Sequence, residues 1–408
     1  MKIVFTTPVG NTPDYFSISV TSKFPRFSLP TPAFGLRFIK QNIPEIEILE
    51  YPTWEEYIHI VKNGVDILGI SFYMRDIPKV LKMIEFARKN GVKEIWGGNY
   101  GVLTYGIEEY FDKIFIGYAE REIAKELGYE IKRVKHPPLI TNFGIYKTPF
   151  KISHAFLFSN RGCPFKCSFC QTPIATKGII ERIPLESVEE VIRKYKKMGM
   201  KSVFLMDDNF FADRKHSEKV IDLLGEYKLN WGVCTRIENL YNRIEEFMEK
   251  GMFMSLIGLE SFRQENLDSV RKGYHSSILL DTLNQLIENN IYIHGTYILG
   301  FENDTKKSIK EDIKKLSKMR IGSLQITILT PLPRTKLWEE IESKYGIFEK
   351  DLSKFDTYHL VWNHPNIRAK EMEKLLEWAR RTCFPPWKIM SDIHLVAKNG
   401  MLKRFIFQ

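Results

Sequence analysis

The residues with the clearest chemical potential lie in "RGCPFKCSFCQTP", Arg161 to Pro173, where Cys163, Cys167 and Cys170 fall within eight residues. The chain holds five cysteines in all. The other two, Cys234 and Cys383, are lone and distant in sequence. Three thiolates at CX3CX2C spacing can grip three corners of one compact inorganic cluster, because the loop curls around it. Iron–sulfur clusters usually take four cysteines. A structural zinc site would also need a fourth ligand, and it normally pairs its cysteines as two knuckles. One open corner would be a fault in a structural site and an asset in a catalytic one.

Positioning such a loop requires a scaffold, and the chain has ample material for one. Its 408 residues exceed one ordinary core, so two domains plus an appendage are expected. With 44% hydrophobic and 27% charged residues it has the balance of a soluble globular protein. No run of about 20 apolar residues could span a bilayer. The start, "MKIVFTTPVGN", reads as a strand running into a loop and not as a signal peptide. The odd cysteine count argues against a disulfide framework and for the reducing cytoplasm. The net charge of +10 comes from Lys and Arg mixed with Glu along helical stretches, the pattern of solvated faces, so no nucleic-acid partner is expected.

Residues 1–125 alternate apolar runs ("KIVFTTP", "EIEILEY", "VDILGISF", "KEIWGG", "DKIFIGY") with helical stretches such as "IPKVLKMIEFARKNG". This α/β pattern implies a parallel sheet covered on both faces, flavodoxin-like (Rossmann-type), with its ligand beyond the carboxyl ends of the strands. Residues 126–150, rich in Pro, Gly and Lys, read as a linker. From 151 to 340 six further βα units follow, "HAFLFSN" to "SLQITILTPLP", which make a partial (β/α)6 barrel with its site at the strand carboxyl ends. Residues 341–408 form a C-terminal region with aromatics, prolines and two short helices. It is expected to lie across the barrel mouth, where Tyr358, His359, Trp362 and His364 are candidates to close the site or to fill the core.

A CX3CX2C loop directly after the first barrel strand, with an aromatic (Phe169) before the last cysteine, resembles the radical S-adenosylmethionine (SAM) superfamily. The resemblance implies a [4Fe–4S] cluster on Cys163, Cys167 and Cys170, with SAM chelating the fourth iron and cleaved to a 5′-deoxyadenosyl radical. It places polar residues against SAM at the end of "FLMDDNF", where Asp208 is the first candidate and Asp207 the second; the helix N-cap role suits Asp213 or Ser217 better. Arg236 of "CTR" would pair with the SAM carboxylate. Glu260 and Ser261 of "IGLES" would hydrogen-bond SAM, and Gly300 of "YILGF" would let the backbone approach the adenine. "LTPLPRT" matches the family's "TPLPGT", with Arg334 where glycine is usual.

A flavodoxin-like domain ahead of such a barrel resembles the cobalamin-binding (class B) members of the superfamily. The matching segments are "TPAFGLRFI", "DILGISF" ending near Ser71, "IWGGN" and "IGYAERE". In the third, Gly97 and Gly98 would leave room for the cobalamin nucleotide tail. The fourth is similar to the family's "GEGE", with Tyr118 and Ala119 replacing typical residues. The "DXHXXG" motif that supplies a lower cobalt ligand is absent, and His59 falls inside a helical pattern, so cobalamin would bind without a protein histidine. The resemblance implies a cobalamin-dependent C-methyltransferase acting on a peptide or protein side chain or a small metabolite, served by a flavodoxin- or ferredoxin-type electron donor. The alternative is a radical SAM enzyme with a degenerate front domain that couples or cyclises carbons, as in archaeal lipids. A non-catalytic iron–sulfur protein would not need the SAM-contacting strand ends.

Overall fold

A computed structural model of the chain describes residues 1–10, 31–144 and 151–384. The first sheet is built from β1 (Ile3–Thr6), β2 (Glu47–Leu49), β3 (Ile67–Ser71), β4 (Glu94–Gly98) and β5 (Lys113–Phe115). All of its pairings are parallel, in the order β2-β1-β3-β4-β5. This is the flavodoxin-like order. The chain reverses direction across the sheet between β1 and β3, which opens a crevice at the carboxyl edge. Four helices cover the faces: α1 (Phe34–Asn42), α2 (Trp54–Lys62), α3 (Ile77–Lys89) and α4 (Glu120–Glu126). Local chemistry starts them where the sequence allows. Thr53 and Glu56 form a reciprocal capping box on α2, and α3 begins with a proline in its first turn.

The second sheet contains β6 (Leu139–Gly144) and β7 (Lys151–Leu157). After the short hairpin of β8 (Asn160–Arg161) and β9 (Glu181–Arg182) come β10 (Ser202–Leu205), β11 (Asn230–Thr235), β12 (Met252–Glu260), β13 (Tyr292–Leu299) and β14 (Ser323–Ile328). Its order is β14-β13-β12-β11-β10-β7-β6. The six strands β7 and β10 to β14 run parallel, as expected of a (β/α)6 half-barrel. Helix α5 (Thr172–Ala175) borders the mouth, and α6 (Leu185–Lys197), α7 (Arg214–Glu226), α8 (Ile244–Glu249), α9 (Gln264–Ser269), α10 (Ser276–Glu288) and α11 (Lys306–Lys318) alternate with the strands, followed by α12 (Lys336–Lys344) and α13 (Ala369–Cys383). In α6, Val188, Val191, Ile192 and Tyr195 recur at helical spacing and are the buried face.

Two features depart from the sequence reading. The stretch expected as a linker contains β6, which pairs antiparallel with β7 at the sheet edge. Tyr195 of α6 anchors it: its hydroxyl accepts the Leu139 N–H at 2.8 Å and donates to the Phe156 carbonyl at 2.7 Å. The C-terminal region carries a 15-residue amphipathic helix, α13, packed on α11 and β14. Trp362 is fully buried with its indole N–H on the Leu329 carbonyl, and His364 bonds the Phe301 carbonyl. Trp362 therefore belongs to the core, with the partly exposed His364 ring against it; His359 is bonded to Asp356. The last part of that region, residues 385–408, lies outside the described residues, as do residues 11–30. No helix among the described residues is long and apolar enough to cross a membrane.

The two sheets are held together by aromatic packing. Phe34 and Phe38 of α1 meet Phe158, just after β7, edge-on at 5.3 and 5.6 Å between ring centres. The carboxyl edge of the front sheet thus faces the mouth of the half-barrel.

Candidate functional site

The cysteine loop leaves β8 and is stitched to the barrel rim by its own backbone. Ser168 N–H bonds the Val270 carbonyl, the Ser168 carbonyl accepts Leu337 N–H, and Cys170 N–H bonds the Cys167 carbonyl. Gln171 reaches the Pro333 carbonyl at 3.0 Å, which ties in the "LTPLPRT" loop. All three thiols are half-buried. Burial pushes Cys163 up and Cys170 up to about 11. The Cys163 and Cys170 thiols therefore keep their protons at neutral pH until a metal displaces them. Among the described residues, no three Cys, His, Asp or Glu side chains converge on one ion. Such a donor set is ill-suited to a mononuclear zinc site, whereas a cluster takes each thiolate on a separate iron. Cys234 and Cys383 are buried elsewhere and take no part in the loop.

The strand-end residues divide into those that touch this loop and those that do not. Asp208 is at the loop: its carboxylate accepts the Gly162 N–H at 2.7 Å and the Tyr118 hydroxyl at 2.5 Å. Arg236 is buried and donates to Cys167 Sγ at 3.3 Å. It is stacked over Phe165 at 3.9 Å and paired with Glu238. The sequence pointed to a SAM carboxylate for this guanidinium; the structure adds a hold on the cysteine loop.

Asp207, the second candidate for SAM, is buried beneath the loop. One of its oxygens accepts from Ser159 N–H and Oγ at 2.9 Å and from Asn160 N–H at 2.5 Å, fixing the turn that leads into the cysteines. Desolvation by burial raises its pKa from 3.8 to about 7. The folded chain therefore keeps this proton up to about pH 7, while the unfolded chain releases it near pH 4. The associated stabilisation is complete below about pH 4 and is lost as pH rises through 7. Asp207→Asn should flatten this part of the stability–pH curve by at most about 1.4 kcal/mol per pH unit, read by urea melts at several pH values.

Glu260 and Ser261 likewise have partners inside the fold. Glu260 is buried at a bulge of β12 with φ +56° and pairs with buried Lys272 at 2.6 Å. Burial alone would push Lys272 down, but the Glu260 carboxylate outweighs it and holds the ammonium above its usual range. Ser261 Oγ accepts from Arg263 N–H and from the Asn266 side chain, organising the start of α9. Gly300 has φ +80°, its N–H is taken by Asp304, and it packs on Met372 of α13. Its glycine serves that turn, and it does not line the cavity described next. Asp213 does cap α7, as expected.

A cavity of about 550 Å³ lies between the front sheet's carboxyl edge and the barrel mouth. Its walls include Ser71, Gly97, Gly98 and Asn99 from the front domain and Met206, Asp208 and Cys234 from the barrel. Asn99 bonds the Ser71 hydroxyl at 3.3 Å. A Cβ at Gly98 would find only the Phe115 carbonyl, at 3.9 Å, so this face is open to a ligand. Among the described lining residues there is no histidine. His59 is exposed on α2 and bonded to Asn63.

Residues that the sequence reading passed over complete the site, Arg161, Glu120, Thr172 and Lys272, together with Tyr118, which it noted only as a departure from "GEGE". Arg161 stands directly before Gly162 in the opening motif, and that adjacency was the available signal.

Residues 157–316 match the profile of the radical SAM superfamily. An uncharacterised methyltransferase of Pyrococcus horikoshii is 26% identical over 55% of this chain and 50% of its own length. The bacteriochlorophyllide d C-12(1)-methyltransferase of Chlorobaculum tepidum is 27% identical over 54% and 49%. The chain thus spans about half the length of the curated relatives it matches. In fold it is similar to the radical SAM methyltransferase TsrM of Kitasatospora setae, solved with cobalamin and a [4Fe–4S] cluster bound. The TM-score is 0.64 at 15% identity, covering 84% of this chain and 78% of that one. With its cysteine loop at the mouth of a six-stranded half-barrel and a flavodoxin-like domain in front, the chain is similar to the radical SAM superfamily over residues 157–316.

Proposed function

We propose that this chain is a cobalamin-dependent radical SAM methyltransferase that places a methyl group on an unactivated carbon of a peptide, a protein side chain or a small metabolite. The observation that carries the reading is the single cavity that runs from Ser71 and Gly98 at the front sheet to Asp208 beside the cysteine loop. One space bounded by both domains is what two cofactors acting on one substrate require.

Cys163, Cys167 and Cys170 would hold a [4Fe–4S] cluster, and Ser71, Gly97 and Gly98 the nucleotide tail of cobalamin. When bound, the cluster with SAM supplies one-electron radical chemistry and cobalamin supplies a methyl group for carbon, which no side chain can do. The chain's own groups position and enclose. Asp207 fixes the turn before the cysteines, Asp208 holds the start of the loop and Arg236 its middle cysteine. We assign the polar groups of SAM to the last two. The lining is mainly apolar, with Phe34, Phe158, Met206 and Leu256 among its residues, and limits water around reactive species. The electron is assigned to a flavodoxin- or ferredoxin-type donor, and the setting to the cytoplasm.

Gly98→Leu tests the reading. The branched side chain would fill the open face, so cobalamin should bind at least about tenfold more weakly while iron content stays at the wild-type level. Equilibrium dialysis with hydroxocobalamin and iron analysis of the same samples check it. Equal cobalamin affinity in both proteins would place the corrin elsewhere.

A further inference from the structure

The segment "IGYAERE" presses on the cysteine loop at three successive points. Gly117 has φ +84°, and a Cβ there would lie 2.4 Å from the carbonyl oxygen of Ala175 in α5, the helix that follows the cysteines. Only glycine permits both that backbone and that approach. Next to it, the Tyr118 hydroxyl donates to Asp208 Oδ2 at 2.5 Å, and the same oxygen accepts the N–H of Gly162, the neighbour of Cys163. Two residues on, the Glu120 carboxylate takes both guanidinium ends of Arg161, at 2.6 and 3.2 Å. Both partners are almost wholly buried, and Arg161 lies 4.2 Å over the Tyr118 ring. Three residues of the front domain therefore meet Arg161, Ala175 and, through Asp208, Gly162, which bracket all three cysteines.

A buried ion pair adds little net stability, because desolvation offsets much of its attraction, and losing one partner is costly. Its consequence here is fixed geometry. Tyr118 also lines the cavity, so one side chain touches both the proposed corrin space and the carboxylate that holds the start of the loop.

We propose that Gly117–Glu120 is the clamp through which the front domain sets the position of the cysteine loop, with Tyr118 as the positioning residue that keeps Asp208 on Gly162. This rests on the reading of that loop as the cluster site. The front domain then acts on the SAM half of the enzyme as well as lodging its own ligand.

The test compares wild type with Tyr118→Phe, full chain, by amide hydrogen exchange without added cofactors. Loss of one hydrogen bond should speed exchange at Gly162 about fivefold, with the melting temperature and the barrel strands unchanged. After anaerobic reconstitution the same variant should bind SAM about fivefold more weakly at equal iron content, a change that a purely structural tyrosine would not give. Gly117→Ala, which pushes on the Ala175 carbonyl, should accelerate the same amide. Unchanged exchange at Gly162 in Tyr118→Phe would overturn the clamp. So would faster exchange throughout the barrel with a lowered melting temperature, which would make the segment a general scaffold. Because the exchange measurement needs neither cluster nor corrin, a failure to bind cobalamin would sink the proposed function without touching this result.

Discussion

Replacing Cys163, Cys167 or Cys170 by Ala is expected to abolish both the iron–sulfur cluster and SAM cleavage. The loop offers three thiols and no fourth, since Cys234 and Cys383 are buried elsewhere, so three ligands are already the minimum hold on a cluster that usually takes four. The loop's shape is set by backbone bonds to Val270 and Leu337 and by the Gln171 contact with Pro333, none of which uses a thiol. Each variant should therefore fold and fail only to retain metal. Iron analysis and a 5′-deoxyadenosine assay on anaerobically reconstituted protein read the result. A variant that kept wild-type iron and turnover would remove that cysteine from the site. Cys234→Ala and Cys383→Ala should keep wild-type iron.

The second large effect is on stability. Glu260→Ala removes the partner of Lys272 and leaves an ammonium buried with its nearest carboxylate gone. Loss of one member of a buried pair typically costs about 3–5 kcal/mol. The alanine would also inherit a φ of +56°, which suits it no better than glutamate. A urea midpoint lowered accordingly, with much of the loss recovered in Glu260→Gln/Lys272→Met, is the expected outcome. A variant of wild-type stability that bound SAM weakly would instead support Glu260 as the direct SAM contact that its place at a strand end suggests.

The parallel strands and the cysteine loop were legible because their signals are local. Short apolar runs such as those of β1 and β3 can only be buried on both faces, and CX3CX2C carries its ligand set within a single loop. What the sequence concealed depends on distant partners. Leu139–Gly144 looks like a linker beside its prolines and lysines, and becomes a strand because Tyr195, 56 residues away, satisfies its edge. Glu260 reads as a SAM contact and Arg161 carries no role of its own until Lys272 and Glu120 are placed against them, 12 and 41 residues away. Asp207 and Asp208 are neighbours of one residue type, and only the fold separates the buried one that fixes the turn from the exposed one that meets Tyr118 and Gly162. Gly300 shows the reverse limit: a glycine at a strand end fits a ligand approach and a tight turn equally well until Asp304 and Met372 are seen to take its surroundings.

The central claim is that one chain holds an iron–sulfur cluster on its cysteine loop and cobalamin in the cavity behind it. Metal analysis of the full chain, reconstituted anaerobically with iron, sulfide and hydroxocobalamin and then desalted, tests it most directly. The expected result is about four irons together with one cobalt per chain, the cobalt lost in Gly98→Leu and the iron lost in Cys167→Ala. Full iron with no cobalt in the wild type would contradict it and transfer the reading to carbon coupling or cyclisation, with the front domain kept to shape the substrate cavity.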